Sequence, residues 1–189
     1  MPELNLLSDE DLVGLYKEGD EKAFNELYRR FAPRLKRLIY FYSSNADEVN
    51  DIFHESIIRV VKHIDGFDMS KAFSSWIYQI AVNCCKNQIK KNRRQNDLIE
   101  KEKFRIVDRN TDNDSPDMKL INDLEMKEFN TAVNGLKDKF KDVFLLRFDQ
   151  KMMYSEISEI LNCSERTAKW RMEKAVEIIA RQLRDKGLV

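Results

Sequence analysis

The stretch YSEISEILNCSERTAKWRMEKAVEIIARQL, Tyr154 to Leu183, decides how the rest of the chain is read. Tyr154, Ile157, Ile160 and Leu161 recur at helical spacing, Asn162 and Cys163 interrupt, and Ser164 to Ala180 resume as a second helix. A helix, a tight turn and a second helix form a helix-turn-helix. Such a unit wants a small residue on the first helix, a residue tolerating φ > 0 in the turn, and an inward apolar residue on the second. Ser158, Asn162 and Ala168 occupy those places, and Asn is among the residues that most readily enter the left-handed region. Ser164 is placed to cap the second helix.

Steps of about 100° along that helix put Ala168, Met172, Ala175 and Ile179 on one stripe. Arg166, Trp170 and Glu173 fall opposite, flanked by Thr167, Lys169 and Lys174. An outward Trp among cations suits DNA, where Arg and Lys reach phosphates or guanine edges and an aromatic ring packs on a thymine methyl. The bland reading is a helical hairpin whose Trp170 packs against the other domain or a subunit.

Working outward, only five Gly and three Pro occur in 189 residues, and Leu, Lys, Glu, Ile and Arg are plentiful, so an all-α fold is expected. Phe129, Val133 and Leu136, then Phe140, Val143, Phe144 and Leu146, lead into the helix-turn-helix and make a small domain over 123–189. Upstream, apolar positions on four successive helical faces predict a four-helix domain over 1–96: Leu12 to Tyr16, Phe24 to Phe41, Ile52 to Ile64, and Trp76 to Cys85. Between them, 97–122 reads as a polar linker, with Asp108 to Asp117 offering almost nothing to bury. Leu98, Ile99, Phe104, Ile106 and Val107 could form a short helix or a docking strip.

The 33 Lys and Arg balance 33 Asp and Glu, so net charge announces no partner. Their distribution is more telling. No acid occurs between Asp68 and Asp97, yet that stretch holds Lys71, Lys86, Lys90, Lys91, Arg93 and Arg94. Acids crowd the segment before it, among them Asp9, Glu10, Asp51 and Glu55, so one face can meet phosphate and another a basic protein surface.

Cys84, Cys85 and Cys163 form neither a disulfide framework nor a CxxC pair, which argues for a reducing compartment. No segment approaches the about 18 apolar residues of a membrane span, and Met1 to Leu7 lacks a signal-peptide pattern, so a cytoplasmic location is expected. No Gly-rich phosphate loop, HExxH or G-x-S-x-G occurs, and His54 and His63, nine residues apart, do not share a helical metal face. No enzyme, cofactor or metal is implied.

The segments VFLLRF, YSEISEIL and ERTAKWRMEKA resemble the minus-thirty-five-binding domain of extracytoplasmic-function (ECF) sigma factors of RNA polymerase. DIFHESIIRVVKHIDGF and FSSWIYQIAVNCCKNQIKKNRR are similar to that family's polymerase-binding and minus-ten-binding helices, in the same order and spacing. The resemblance implies a D-x-x-Q-E-like grip on the β′ clamp coiled coil by Asp51, His54 and Glu55, with His54 replacing the usual Gln. It implies minus-ten contacts from Asn83 and Asn87, a base-accepting loop from Phe67 to Phe73, and phosphate tracking by Lys86, Lys90, Lys91, Arg93 and Arg94. It implies minus-thirty-five contacts from Arg166, Thr167, Lys169, Trp170, Glu173 and Lys174. The β flap of core polymerase, promoter DNA both duplex and single-stranded, and an anti-sigma factor are the further partners it implies. Trp76 and Tyr78 could equally be core, and for Trp76 core packing is the preferred reading. Lys137 stands where the family often has Pro, Lys151 where it often has Gly, and Trp170 where a small polar residue is frequent. The competing expectation is an ordinary helix-turn-helix regulator that binds duplex DNA without polymerase.

Overall fold

The computed structural model describes residues 3–43, 45–102 and 124–187, and every regular element among them is helical. After a 3-10 turn at Leu4–Leu6 come α1 (Asp9–Lys17), α2 (Glu21–Tyr40), α3 (Ala46–His63), α4 (Phe73–Glu102), α5 (Leu124–Asn134), α6 (Asp138–Phe144), α7 (Tyr154–Ile160) and α8 (Glu165–Asp185).

Local chemistry sets the helix starts. Ser8 accepts from the Asp11 amide while the Asp11 carboxylate accepts from Ser8 N–H, a reciprocal capping box on α1. Asp20 caps α2, and Asn45 takes the amides of Asp47 and Glu48 at the start of α3. The first turn of α4 is capped from a distance: the Glu10 carboxylate on α1 accepts from Phe73 N–H at 2.8 Å, where the helix dipole favours an anion. α2 continues through Pro33, and burial of Phe31, Leu35, Leu38 and Ile39 on its inner face offsets the missing hydrogen bond.

α1 to α4 enclose a core of Leu12, Leu27, Phe31, Leu35, Leu38, Phe53, Phe73 and Tyr78, all at most 2 % exposed. Each such side chain contributes about 1.5–3 kcal/mol by leaving water. Part of the acid cluster near the start serves this architecture. Arg30 bridges Glu26 and Asp9, tying α2 to α1, and hydrogen bonds from Arg29 and Arg30 hold the Glu26 carboxyl down at about 2.

α5 to α8 pack around Val133, Val143, Leu146, Ile157, Ala168 and Ala175, all fully buried. The expected inner stripe of α8 is found at Ala168, Ala175 and Ile179, with Met172 half-buried. α6 passes into a π-helical turn at Leu145–Asp149, and the chain then reverses at Lys151, whose φ is +60°. The two cores meet along α4 and α7 as one continuous cluster. α4 runs on through Glu102, so 97–102, read as the start of the linker, belongs to a helix. Leu98, Glu100, Lys101 and Glu102 are good helix formers, and neither Gly nor Pro is there to stop it. The rest of that linker, including Phe104, Ile106 and Val107, lies outside the described residues.

The positive φ at Lys151 gives physical content to the Gly expected there. An L side chain in the left-handed region costs about 1–2 kcal/mol, and the looser unfolded chain of a Gly offsets about 0.5–1 kcal/mol of the gain. Lys151→Gly is therefore expected to raise stability by about 0.5–1 kcal/mol, a Tm increase of roughly 1–4 °C. A lower Tm in a thermal melt would mean that the Lys151 ammonium, 5.1 Å from the Phe148 ring centroid, matters more than the backbone.

Candidate nucleic-acid and polymerase interface

Asp51, His54 and Glu55 stand on the exposed face of α3, whose opposite face buries Val49, Ile52, Phe53, Ser56 and Val60. Glu55 pairs with Arg59 one turn on, at 2.7 Å with both side chains substantially in solvent. The His54 ring lies 5.9 Å from that of Phe53. The three groups thus form one accessible patch of acid and imidazole.

On α4, Asn83, Asn87, Lys90, Lys91 and Arg94 are exposed along one side. The neighbouring side turns to α3, where Gln88 and Asn92 donate to the Glu48 carboxylate, which also accepts from the Ser43 hydroxyl. Burial alone would push the Glu48 carboxyl up, but the donors Ser43, Asn92 and Gln88 together hold it below the usual range. This clasp fixes the rotation of α4 and hence the side that presents the two asparagines. The side chain of Arg93 lies outside the described residues.

Lys86 behaves differently from its neighbours. Its ammonium is 2.7 Å from the Asp142 carboxylate of α6, so in this conformation it is committed to a partner within the chain.

Phe67 is 5 % exposed, inside an aromatic cluster with Phe73 and Trp76. The surface of the 67–73 loop is formed by Asp68, Met69, Ser70 and Lys71. Phe67 therefore anchors that loop from below and does not line its surface. Trp76 is half-buried in the same cluster, as core packing requires, and Tyr78 is fully buried. Two α1 residues that the sequence pattern does not connect with this loop hold it: Lys17 donates to Phe67 C=O at 2.9 Å and Glu10 takes Phe73 N–H. Their separations of 50 and 63 residues leave no local signal.

The turn before α8 has Asn162 at φ +48°, and the Ser164 hydroxyl accepts from Thr167 N–H at 3.1 Å. Arg166, Lys169, Trp170 and Glu173 are exposed, whereas Thr167 and Lys174 are half-buried. The Thr167 hydroxyl shares the cap with Ser164, and Lys174 pairs with Glu177. Trp170 is 47 % exposed. Its inner edge meets Phe140 with ring centroids 5.9 Å apart, and the Lys139 ammonium lies over both rings. Lys169 and Arg147 lie over the Tyr154 ring. Lys139, Arg147 and Tyr154 thus extend the cationic and aromatic surface beside α8; only folding brings them there. Among the described residues no group of three or more His, Cys, Asp or Glu could hold a metal ion, and no helix is long and apolar enough to cross a membrane.

An all-helical chain with an amide- and cation-bearing helix in one half and a capped recognition helix in the other has the architecture of sigma regions 2 and 4. The Sigma-70 region 2 family model matches residues 27–95 and the Sigma-70, region 4 model residues 126–179. The ECF RNA polymerase sigma-E factor of Haemophilus influenzae is 31% identical over 183 residues, covering 94% of this chain and 96% of that protein. The ECF RNA polymerase sigma factor SigW of Bacillus subtilis is 29% identical, covering 89% and 93%. The chain belongs to the ECF RNA polymerase sigma factors, which act in transcription initiation. Solved structures share the fold: CnrH in complex with the cytosolic domain of CnrY (TM-score 0.71, 18% identity, covering 94% of this chain and 97% of that one). The sigma factor RpoE in complex with the anti-sigma factor NepR from Bartonella quintana is similar too (TM-score 0.70, 19% identity, 86% and 98%).

Proposed function

We propose that residues 1–96 bind core RNA polymerase and the minus-ten element, that 97–122 connect, and that 123–189 bind the minus-thirty-five element. Asp51, His54 and Glu55 meet the β′ clamp coiled coil, and the second half meets the β flap. Asn83 and Asn87 read bases, since an amide offers both donor and acceptor to a base edge. Lys86, Lys90, Lys91, Arg93 and Arg94 follow phosphate. Phe67 supports the base-accepting loop from beneath. Arg166, Lys169, Trp170 and Glu173 face the upstream duplex, with Thr167 and Lys174 at the flanks. The observation that carries this reading is the exposed side of α4 from Asn83 to Arg94, which carries amides and cations and no acid.

The chain works in the cytoplasm, and catalysis belongs to the polymerase. An anti-sigma factor fits as a regulator, in keeping with the RpoE complex with NepR. The deciding experiment is run-off transcription with core polymerase on genomic fragments. Transcripts with defined starts are expected only when the chain is present. Sequence-specific, nanomolar binding to duplex DNA by the chain alone, with no such transcripts, would point instead to the ordinary regulator.

A further inference from the structure

α1 reaches the 67–73 loop at three places along one stripe. Glu10, Gly14 and Lys17 are spaced i, i+4 and i+7, so one side of the helix carries all three. At the start of the loop the Lys17 ammonium donates to Phe67 C=O at 2.9 Å and lies 5.9 Å from the centroid of the Phe67 ring. At its end the Glu10 carboxylate accepts from Phe73 N–H at 2.8 Å. Between them Gly14 leaves room for Met69, whose Cε lies 3.8 Å from the point that a Cβ on residue 14 would occupy. The middle of the loop is closed on itself. The Asp68 carboxylate accepts from the Ser70 amide at 3.0 Å and from its hydroxyl at 2.7 Å, and Asp68 C=O accepts from Lys71 N–H at 3.0 Å. A turn tied together in this way moves as a unit, and the two α1 bonds at its ends set where that unit stands.

We propose that α1 is the positioning element of the base-accepting loop: Glu10 and Lys17 fix the spacing of its ends, the bare backbone at Gly14 seats Met69, and base preference at the loop depends on all three. The inference rests on the reading of residues 67–73 as the loop that takes a nontemplate base. Neither α1 charge is left to meet DNA directly. Both side chains are half-buried and engaged by loop backbone, where a charge-assisted hydrogen bond is stronger than in open water. Met69, 44 % exposed, is the large apolar side chain that the loop presents, suited to pack on the face of a flipped base. A loop already held in place loses less conformational freedom when the base arrives, and it holds Met69 at one height above α1.

The test uses core polymerase carrying the full-length chain and, as probe, a promoter recovered by run-off transcription whose nontemplate minus-ten bases are varied one position at a time. Open-complex yields over this set give the preference at each position. Lys17→Met with Glu10→Ala frees both ends of the loop. Discrimination at one position is then expected to fall by about tenfold, since displacing a positioning contact by a fraction of an ångström costs on that order. The other positions, association with core polymerase and upstream recruitment are expected to stay as they are. Glu10→Gln, whose amide oxygen still accepts from Phe73 N–H, is expected to keep most of the discrimination. Gly14→Leu leaves both hydrogen bonds and a good helix former in place but drives Met69 from its seat, so it is expected to alter the preference at that same position. A circular dichroism melt checks the fold of each variant. An even loss over all bases and positions, or an unchanged preference, in either the folded double variant or Gly14→Leu makes α1 a structural support and overturns the proposal. Where the double variant does not fold, Gly14→Leu decides alone. Failure of the underlying reading shows separately: Met69→Ala with Ser70→Ala, in the loop itself, would then leave every preference unchanged and overturn both.

Discussion

Asp51→Ala combined with Glu55→Ala is expected to weaken association with core polymerase by about 3 kcal/mol or more, ~150-fold, because each charge-assisted hydrogen bond removed is worth about 1.5–3 kcal/mol. Both carboxylates are exposed and sit on a helix whose other face is fully engaged in the core, so the double substitution removes charge without disturbing packing. Glu55 already pairs with Arg59 across solvent, and an exposed i,i+4 pair costs only about 0.3–0.5 kcal/mol to give up. That cost is too small to keep Glu55 from a better-desolvated partner. Co-purification and a competition assay with labelled wild-type chain measure the weakening, and a circular dichroism melt checks that the fold is intact. Undiminished polymerase association by a folded double variant would remove this face of α3 from the interface.

Damage to the two DNA-reading surfaces should produce distinguishable failures in the polymerase complex. Asn83→Ala with Asn87→Ala is expected to slow open-complex formation and relax the minus-ten preference, at about 1–3 kcal/mol for each base that is no longer read. Trp170→Ala with Lys169→Ala should reduce recruitment to the upstream duplex. A premelted bubble template separates them, because it supplies the opened strand and leaves upstream binding as it was. It should therefore rescue the asparagine variant and leave the α8 variant impaired. Promoter-complex gel shifts measure recruitment and permanganate footprinting measures melting. Loss of recruitment by the asparagine variant, with loss of melting alone by the α8 variant, would reverse the assignment of roles. Truncating Trp170 also uncovers Phe140 and releases Lys139, so the intermediate Trp170→Phe is a useful control.

Several site features are legible before folding because they depend on neighbours within a turn or two. The Ser164 cap, the left-handed Asn162 and the inward Ala168 follow from side-chain chemistry at fixed spacing, and all three are found. The outward display of Asn83, Asn87, Lys90 and Lys91 follows equally from helical period. The same period could not separate Phe67 the loop anchor from Phe67 the loop surface. Burial of a residue between helices depends on what packs over it, here Lys17 from α1 and Trp76 from α4.

The sequence by itself determined the helical class, the two halves and the faces that each helix turns outward, because apolar periodicity and capping chemistry act over a few residues and are written directly in residue order. Only the tertiary structure decided that Lys86 is held by Asp142, that Tyr42 and Tyr78 are tied to the second half, and that Glu10 caps a helix 63 residues away. A charged or hydroxyl side chain carries the same local pattern whether it faces solvent, DNA or a buried carboxylate. Which of these it meets is settled by long-range packing, in which residues far apart in the chain give up water together.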